Sequence, residues 1–224
     1  MLIDAHAHTS AISWCSRRTA EEIIAQCIYD KTDAIVLTNH CKKEYTDNIA
    51  YNVWCKQYND EFFHAKSVGD KNEVKVFFGI EVTSAEMKNI DYLIYGITPE
   101  KLLSSPPLFD LTQRQLFEYC LDNGFLLYQA HPYRNGATPQ NPDYLHGVEI
   151  NCHPLYKTSE EKRVREFAEK NNLRLSCGAD FHGDTYKPRC GMYIPDHIND
   201  GVEFAEYLKT HTPRLLIHDI IVLK

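Results

Sequence analysis

Residues 2–40 read LIDAHAHTSAISWCSRRTAEEIIAQCIYDKTDAIVLTNH, and this stretch decides the fold. An apolar run over Leu2–Ala5 leads into two histidines, His6 and His8. A helical segment over Thr19–Lys31 then opens with a Thr19/Glu22 capping box and repeats Ile23, Ile24, Cys27 and Ile28. A second β-branched run, Ala34–Thr38, leads to His40. Strand, helix and strand, with histidine at each strand end, make one βα unit.

The alternation continues outward from this unit. Further apolar runs lie at Val74–Val82, Tyr92–Ile97, Phe125–Ala130, Val148–Cys152 and Leu173–Ala179, which brings the predicted strands to seven. Helical patterns fall at Leu111–Asn123, stopped by Asn123-Gly124, and at Thr158–Asn171. The aromatic segment Tyr45–Ser67 has the spacing of a helix that covers the barrel. Met192–Ile194, a helix near Gly201–Thr210 and an apolar strand over Arg214–Leu223 finish the chain. Strands alternating with helices imply a mainly parallel sheet, and seven of them in 224 residues suit a small α/β barrel in one domain, residues 1–224.

A formal charge of -7 argues against long-range attraction to nucleic acid or anionic lipid. The sequence has no run of about 18 apolar residues, and its opening, MLIDAHAHTS, has neither a basic nor an apolar leader region, so a cytoplasmic protein with no membrane span is expected. The eight cysteines are scattered without CxxC pairs and are expected to be thiols.

Side chains two apart on a strand share a face, so His6 and His8 can reach one ion. Metal-type side chains recur at other strand ends: His40, Glu81, His131, Asp180 and His182. In a βα barrel those ends converge on one mouth, so these seven residues are expected to share a metal-binding cavity. Mixed imidazole and carboxylate ligands suit zinc, manganese or iron. Two such ions close together would turn a water into hydroxide near neutral pH and stabilise an in-line displacement at phosphorus. Arg17, Arg134, and Lys187 or Arg189 fall in loops at the same mouth and are candidate contacts for the phosphate of a small substrate. Glu149 or Asn151 at the sixth strand is placed to orient ligands.

The ordered motifs DAHAHTS (4–10), LTNH (37–40), GIE (79–81), AHPYR (130–134) and GADFH (178–182) resemble the polymerase and histidinol phosphatase (PHP) family, in its stand-alone form. The resemblance implies a distorted seven-stranded (β/α)7, TIM-like barrel that holds one to three divalent ions and hydrolyses phosphoesters. By that resemblance His6, His8, Glu81 and Asp180 would hold one ion, Glu81 would bridge to a second at His131, and His40 and His182 would belong to a third. Glu81, Asp180 and His182 are the expected catalytic residues. The family also has an Asp or His soon after the HxH pair and a His near the end of the fourth strand, where this chain reads SAISWCS (10–16) and DYLIYGIT (91–98). The second and third ions then keep about two protein ligands each unless Asp91, Cys15, Cys41 or His153 substitutes; the simpler reading of those four is as packing or outer polar residues.

Two further readings compete. The same layout of histidines and aspartate is that of metallohydrolases acting on C–N bonds, although those usually bridge their ions with a carboxylated lysine where Glu81 stands here. A degenerate barrel that binds metal or a phosphorylated ligand without turnover is the alternative outside enzymes.

Overall fold

Strand β1, Leu2–Ala7, is buried along its whole length, as expected of a strand covered on both faces. Its chain leaves through the first loop into helix α1, Ala20–Asp30, which begins at a capping box formed by Thr19 and Glu22 and buries Ala20, Ile23, Ile24 and Cys27. The helix ends where Lys31 turns left-handed (φ 56) and returns the chain to β2, Ala34–Leu37, parallel to β1. The opening βα unit is thus formed as its sequence predicts.

The structure, a computed structural model, describes residues 1–84, 86–154, 158–183, 189–218 and 220–222. After the short β3, His40–Cys41, helix α2 (Tyr51–Lys71) packs Trp54, Tyr58 and Phe62 against the sheet, and the Tyr58 hydroxyl donates to the carbonyls of Asn39 and Gly79. Then follow β4 (Lys75–Thr83), β5 (Asp91–Tyr95), α3 (Pro99–Leu103), α4 (Gln113–Asn123), β6 (Leu126–Gln129), β7 (Gly147–Asn151), α5 (Thr158–Lys170) and β8 (Arg174–Gly178). The chain finishes with β9 (Gly191–Tyr193), α6 (Gly201–Thr210), β10 (Arg214–Ile217) and β11 (Ile220–Val222).

The strand order is β11-β10-β9-β1-β2-β4-β5-β6-β7-β8, with β3 pairing β4 off this path. The sheet curls into a nearly closed barrel, because the end of β8 returns to β1. Asp180 N–H donates to the His6 carbonyl at 2.9 Å, and Ala7 bridges Phe181 in parallel. Lower down, β9 pairs antiparallel with β1 through Leu2 and Ile3, so two strands share the same edge of β1. That sharing demands close approaches. A Cβ on Gly178 would lie 2.4 Å from the His6 Cβ, and one on Gly191 (φ 141) would lie 2.1 Å from the Ile3 carbonyl oxygen. At the far end of the barrel, α6 sets Phe204 against Tyr95 and Phe77, with ring centroids 5.4 and 6.2 Å apart.

Two expectations are corrected. The sheet is mixed, with more strands than the seven foreseen, because β5 runs antiparallel to both β4 and β6. The segment from Thr83 to Asp91 is too short for the crossover helix that a parallel pair requires. The single strand foreseen over Arg214–Leu223 is a hairpin of β10 and β11, reversed next to His218 (φ 45); Leu223 lies outside the described residues. Among the described residues no helix is long and apolar enough to cross a membrane.

Gly178→Ala is expected to lower stability by about 1–3 kcal/mol, since the added methyl meets backbone as well as side chain of β1. A urea midpoint equal to that of the wild type would show that the seam can open without cost.

Candidate metal centre

The mouth of the barrel is where the parallel strands end, and there His6 and His8 leave β1, His40 follows β2, Glu81 lies in β4, His131 follows β6 and Asp180 and His182 follow β8. Because β5 is reversed, its first residue, Asp91, is at the mouth as well. Apart from Asp91 and His182, all of these are buried.

Glu81 is central. Its Oε1 is 3.1 Å from His131 Nε2 and 3.4 Å from His6 Nε2, while Oε2 is 2.5 Å from His40 Nδ1 and 3.5 Å from His8 Nε2. Asp180 Oδ1 lies 2.9 Å from His8 Nε2, 3.3 Å from His6 Nε2 and 3.4 Å from His182 Nδ1. Three groups of possible ligands overlap here, His6/His8/Glu81, Glu81/Asp91/His131 and His8/His40/His182; within each, the ligand atoms lie within 4.8 Å of one another.

The outer polar shell fixes which ring nitrogen faces the cluster. His6 Nδ1 pairs with Glu149 Oε1 at 2.8 Å, and the other Glu149 oxygen accepts from the His131 N–H and from Asn151 Nδ2, both at 3.0 Å. His8 Nδ1 is 3.1 Å from Ser13 Oγ, which also accepts from the His40 N–H and donates to Asn39 Oδ1. With that hydroxyl proton committed to Asn39, the His8 Nδ1 must be the donor, and its Nε2 turns an unprotonated lone pair to the cavity. Glu149 accepts from His6 Nδ1 in the same way, which leaves Nε2 as the nitrogen that faces the cluster.

The inner atoms lack such partners. His6 Nε2, His8 Nε2, His40 Nδ1, Glu81 Oε2 and Asp180 Oδ1 are buried without a hydrogen-bond partner, although several approach one another closely. Each such atom costs about 1–3 kcal/mol if left unsatisfied. Imidazole nitrogens and carboxylate oxygens gathered in one volume fit a divalent cation.

Electrostatics reflects the crowding. Burial would lower the pKa of His6, but the Glu149, Asp180 and Glu81 carboxylates raise it well above the usual imidazole value. Burial and the neighbouring His40 and His182 charges hold His8 well below it. His40 is buried too, yet Glu81 and a hydrogen bond with Cys15 push it up to about 9. Burial opposes ionisation of Glu81 and Asp180, but His40 and His6 at Glu81, and Arg134 and His6 at Asp180, hold both carboxyls well below their ordinary range. His131 (φ 28) and Asp180 (φ 50) adopt left-handed backbone, a conformation disfavoured for non-glycine residues that here turns both side chains inward.

Cys15 is exposed at the rim beside His182 and His40, and its sulfur is in none of the three groups. Burial raises its thiol pKa, but hydrogen bonding to His182 and His40 outweighs that and brings it down to about 6. Asp91 is joined to Thr83 Oγ1 and lies 3.7 Å from His131 Nε2. The sequence favoured outer or packing roles for both; the signal that could have found them was the gap each fills in the motif pattern. Cys41 does pack away from the cluster, beside Cys55 and Tyr51 under α2. The His153 ring is 6.5 Å from His182, outside the three groups.

The candidate phosphate contacts separate. Arg134 reaches the cluster, where its Nη1 pairs with Asp180 and lies 3.2 Å from Asn151 Oδ1. Arg17 is exposed, and its N–H donates to the His182 carbonyl at 2.8 Å, which ties the first loop to the mouth. Arg189 is not brought to the cluster: its long side chain reaches away from the mouth, with Nη2 pointing to the Lys31 carbonyl at the end of α1, 3.5 Å away. Lys187 lies outside the described residues. Elsewhere, Cys152, Cys177 and Cys190 gather on the other side of β7 and β8, with 3.7 Å between the first two sulfurs, and burial keeps Cys177 and Cys190 as thiols.

No protein-family model matches the sequence, and no curated protein matches it. Solved structures do. A two-domain protein from Bacteroides vulgatus containing a predicted PHP-like metal-dependent phosphoesterase superposes with a TM-score of 0.69 at 17% identity, covering 100% of this chain and 66% of that one, so the present chain spans just under two thirds of it. PsfC from Pseudomonas syringae gives 0.66 at 18% identity over 96% of this chain and 91% of its own. An amidohydrolase from Chromobacterium violaceum, with bound sulfate and no metal, gives 0.62 at 12% identity over 97% and 98% of the two chains. The chain therefore has the nearly closed α/β barrel fold of the PHP-like proteins.

Proposed function

We propose that the chain is a PHP-type metal-dependent phosphoesterase that hydrolyses a small phosphorylated substrate. The observation that carries this reading is the set of buried imidazole nitrogens and carboxylate oxygens crowded together at the mouth, with the Arg134 guanidinium beside them. His6, His8, Glu81 and Asp180 are assigned to one ion; Glu81, Asp91 and His131 to a second; His40 and His182, grouped with His8, to a third, with the hydrogen-bonded Cys15 thiol as its added ligand. Divalent ions bound there would supply Lewis acidity, making a water acidic enough to attack and drawing charge from the phosphoryl oxygens.

The chain's own residues do the rest. Glu81 spans two of the ligand groups and holds them at fixed separation. Asp180 and Asn151 hold the Arg134 head at the cluster, where it can meet a phosphate oxygen. As water adds to phosphorus the ester P–O bond breaks, and the proton that the water gives up passes to the leaving oxygen; His182 sits at the rim, on the substrate side of the cluster. A carboxylate bridge at Glu81, in place of a carboxylated lysine, favours phosphoester over C–N hydrolysis. With Cys15 and Asp91 standing in the two gaps of the motif pattern, the ligand sets are fuller than a degenerate barrel would keep. We assign the protein to the cytoplasm, where its thiols stay reduced.

Protein purified without chelator, or reloaded with zinc, manganese or iron, is expected to hold about two to three ions per chain by elemental analysis. His8→Ala and Asp180→Ala should each lose metal and abolish phosphate release from a chromogenic phosphomonoester; unchanged turnover in both would overturn the reading. Loading with cobalt(II) should give a near-ultraviolet thiolate charge-transfer band that Cys15→Ser lacks, whereas identical spectra would remove Cys15 from the ligand set. Since His40 titrates at about 9 before metal arrives, ion binding at pH 7 must expel its proton, and affinity should rise with pH towards that value. Calorimetry in buffers of different ionisation enthalpy reads this release, and a buffer-independent heat would contradict it.

A further inference from the structure

Beside the metal centre lies a pocket of ≈ 530 Å³ walled by Trp14, Lys42, Lys43, Tyr45, Thr83 and Lys88. It is built by the residues that directly follow or precede the cluster: Lys42 comes two after His40, Thr83 two after Glu81, and Trp14 one before Cys15. Ring contacts give the same continuity. Tyr45 stands edge-on to His40 with centroids 6.4 Å apart, and Trp14 stacks on Tyr45 at 4.3 Å and 27°. In its wall, Thr83 is joined to Asp91, which does not itself line the pocket.

Two properties of this pocket have no use in the fold. Trp14 is 67% exposed and lines a second, smaller cavity as well, so its stack on Tyr45 leaves ring surface open to a ligand. A large exposed aromatic at the lip of a catalytic mouth is a recognition feature more than a packing one. The second property is charge. Lys42, Lys43 and Lys88 line the pocket against the single carboxylate of Glu44, in a chain whose net charge is -7, and none of the three forms an ion pair among the described residues. An anion entering the mouth meets this local excess of positive charge before it meets the metal ligands.

We propose that the pocket is the subsite that selects the substrate. With the scissile phosphate at the metal centre, a planar ring stacks on Trp14 and a second anionic group is held by Lys42, Lys43 and Lys88. The preferred substrate is then a phosphomonoester that carries both a planar ring and a further phosphate or carboxylate. This inference rests on the phosphoesterase reading above.

The test uses metal-loaded protein and two phosphonates that cannot be hydrolysed: 4-carboxybenzylphosphonate, which has ring and carboxylate, and methylphosphonate, which has neither. Trp54 is buried and Trp14 exposed, so quenching of tryptophan emission reports on Trp14. The aryl probe should quench. By calorimetry its Kd should rise roughly tenfold in Lys42→Ala/Lys43→Ala and in Trp14→Ala, and Trp14→Phe should recover most of the loss. Methylphosphonate affinity should stay within about twofold throughout. Equal affinity for the two probes, no binding of the aryl probe, or variants that bind it like the wild type would overturn the proposal. Release of phosphate from glycerol 2-phosphate by the wild type tests the underlying reading separately. No release with aryl binding intact sinks the phosphoesterase and keeps the subsite; release with unaffected variants sinks the subsite alone.

Discussion

Two carboxylates, Glu81 and Asp180, are buried opposite a ring of imidazoles at the open end of the barrel, and this unbalanced concentration of lone pairs is the constraint the rest of the mouth answers to. Taking such groups out of water is costly unless partners replace the solvent. The protein supplies those partners from behind: Glu149 for His6 and the His131 backbone, Ser13 and Asn39 for His8 and the start of β3, Arg134 for Asp180. The front of each ligand remains open. A shell satisfied on its outer side and unsatisfied on its inner side holds a cation site ready before any ion arrives.

The barrel seam serves the same end. His6 needs Glu149 behind it, Glu149 stands on β7, and between β7 and β1 runs β8, whose Gly178 has no side chain to keep the two apart. The hydrogen bond from Asp180 to the His6 carbonyl then fixes the spacing of two candidate ligands through the backbone itself. Left-handed geometry at His131 and Asp180 turns these side chains into the cavity at the point where their strands have ended. Backbone strain of this kind persists only where surrounding contacts over-determine it, and both residues are held by several.

Much of this was legible in the residues. The strand runs, the capping box at Thr19 and the strand-end placement of His6, His8, His40, Glu81, His131, Asp180 and His182 follow from periodicity and position, and the structure brings all seven side chains to one mouth. Periodicity has no sign, however: Tyr92–Ile97 reads the same in either direction, so the reversal of β5 was hidden, and with it the arrival of Asp91 at the mouth. Cys15 was obscured for a different reason. It belongs to a loop, where no period assigns a direction to the side chain, and only the fold of that loop over His40 and His182 reveals its surroundings. The position of Arg189 was misjudged because a long side chain can travel far from its Cα.

The pinch between Thr83 and Asp91 closes the base of the β4–β5 hairpin. Strand register is thereby set below the loop, whose exposed tip, 86–89, contributes Lys88 to the pocket wall while Ser84 and Ile90 stay buried at its base. Lengthening a surface loop whose ends are already fastened adds little closure entropy, so residues can be gained or lost there at small thermodynamic cost. The metal ligands would stay in place while the shape of the adjoining pocket drifted. A barrel arranged this way can keep one chemistry and change its clientele by altering a single short connection.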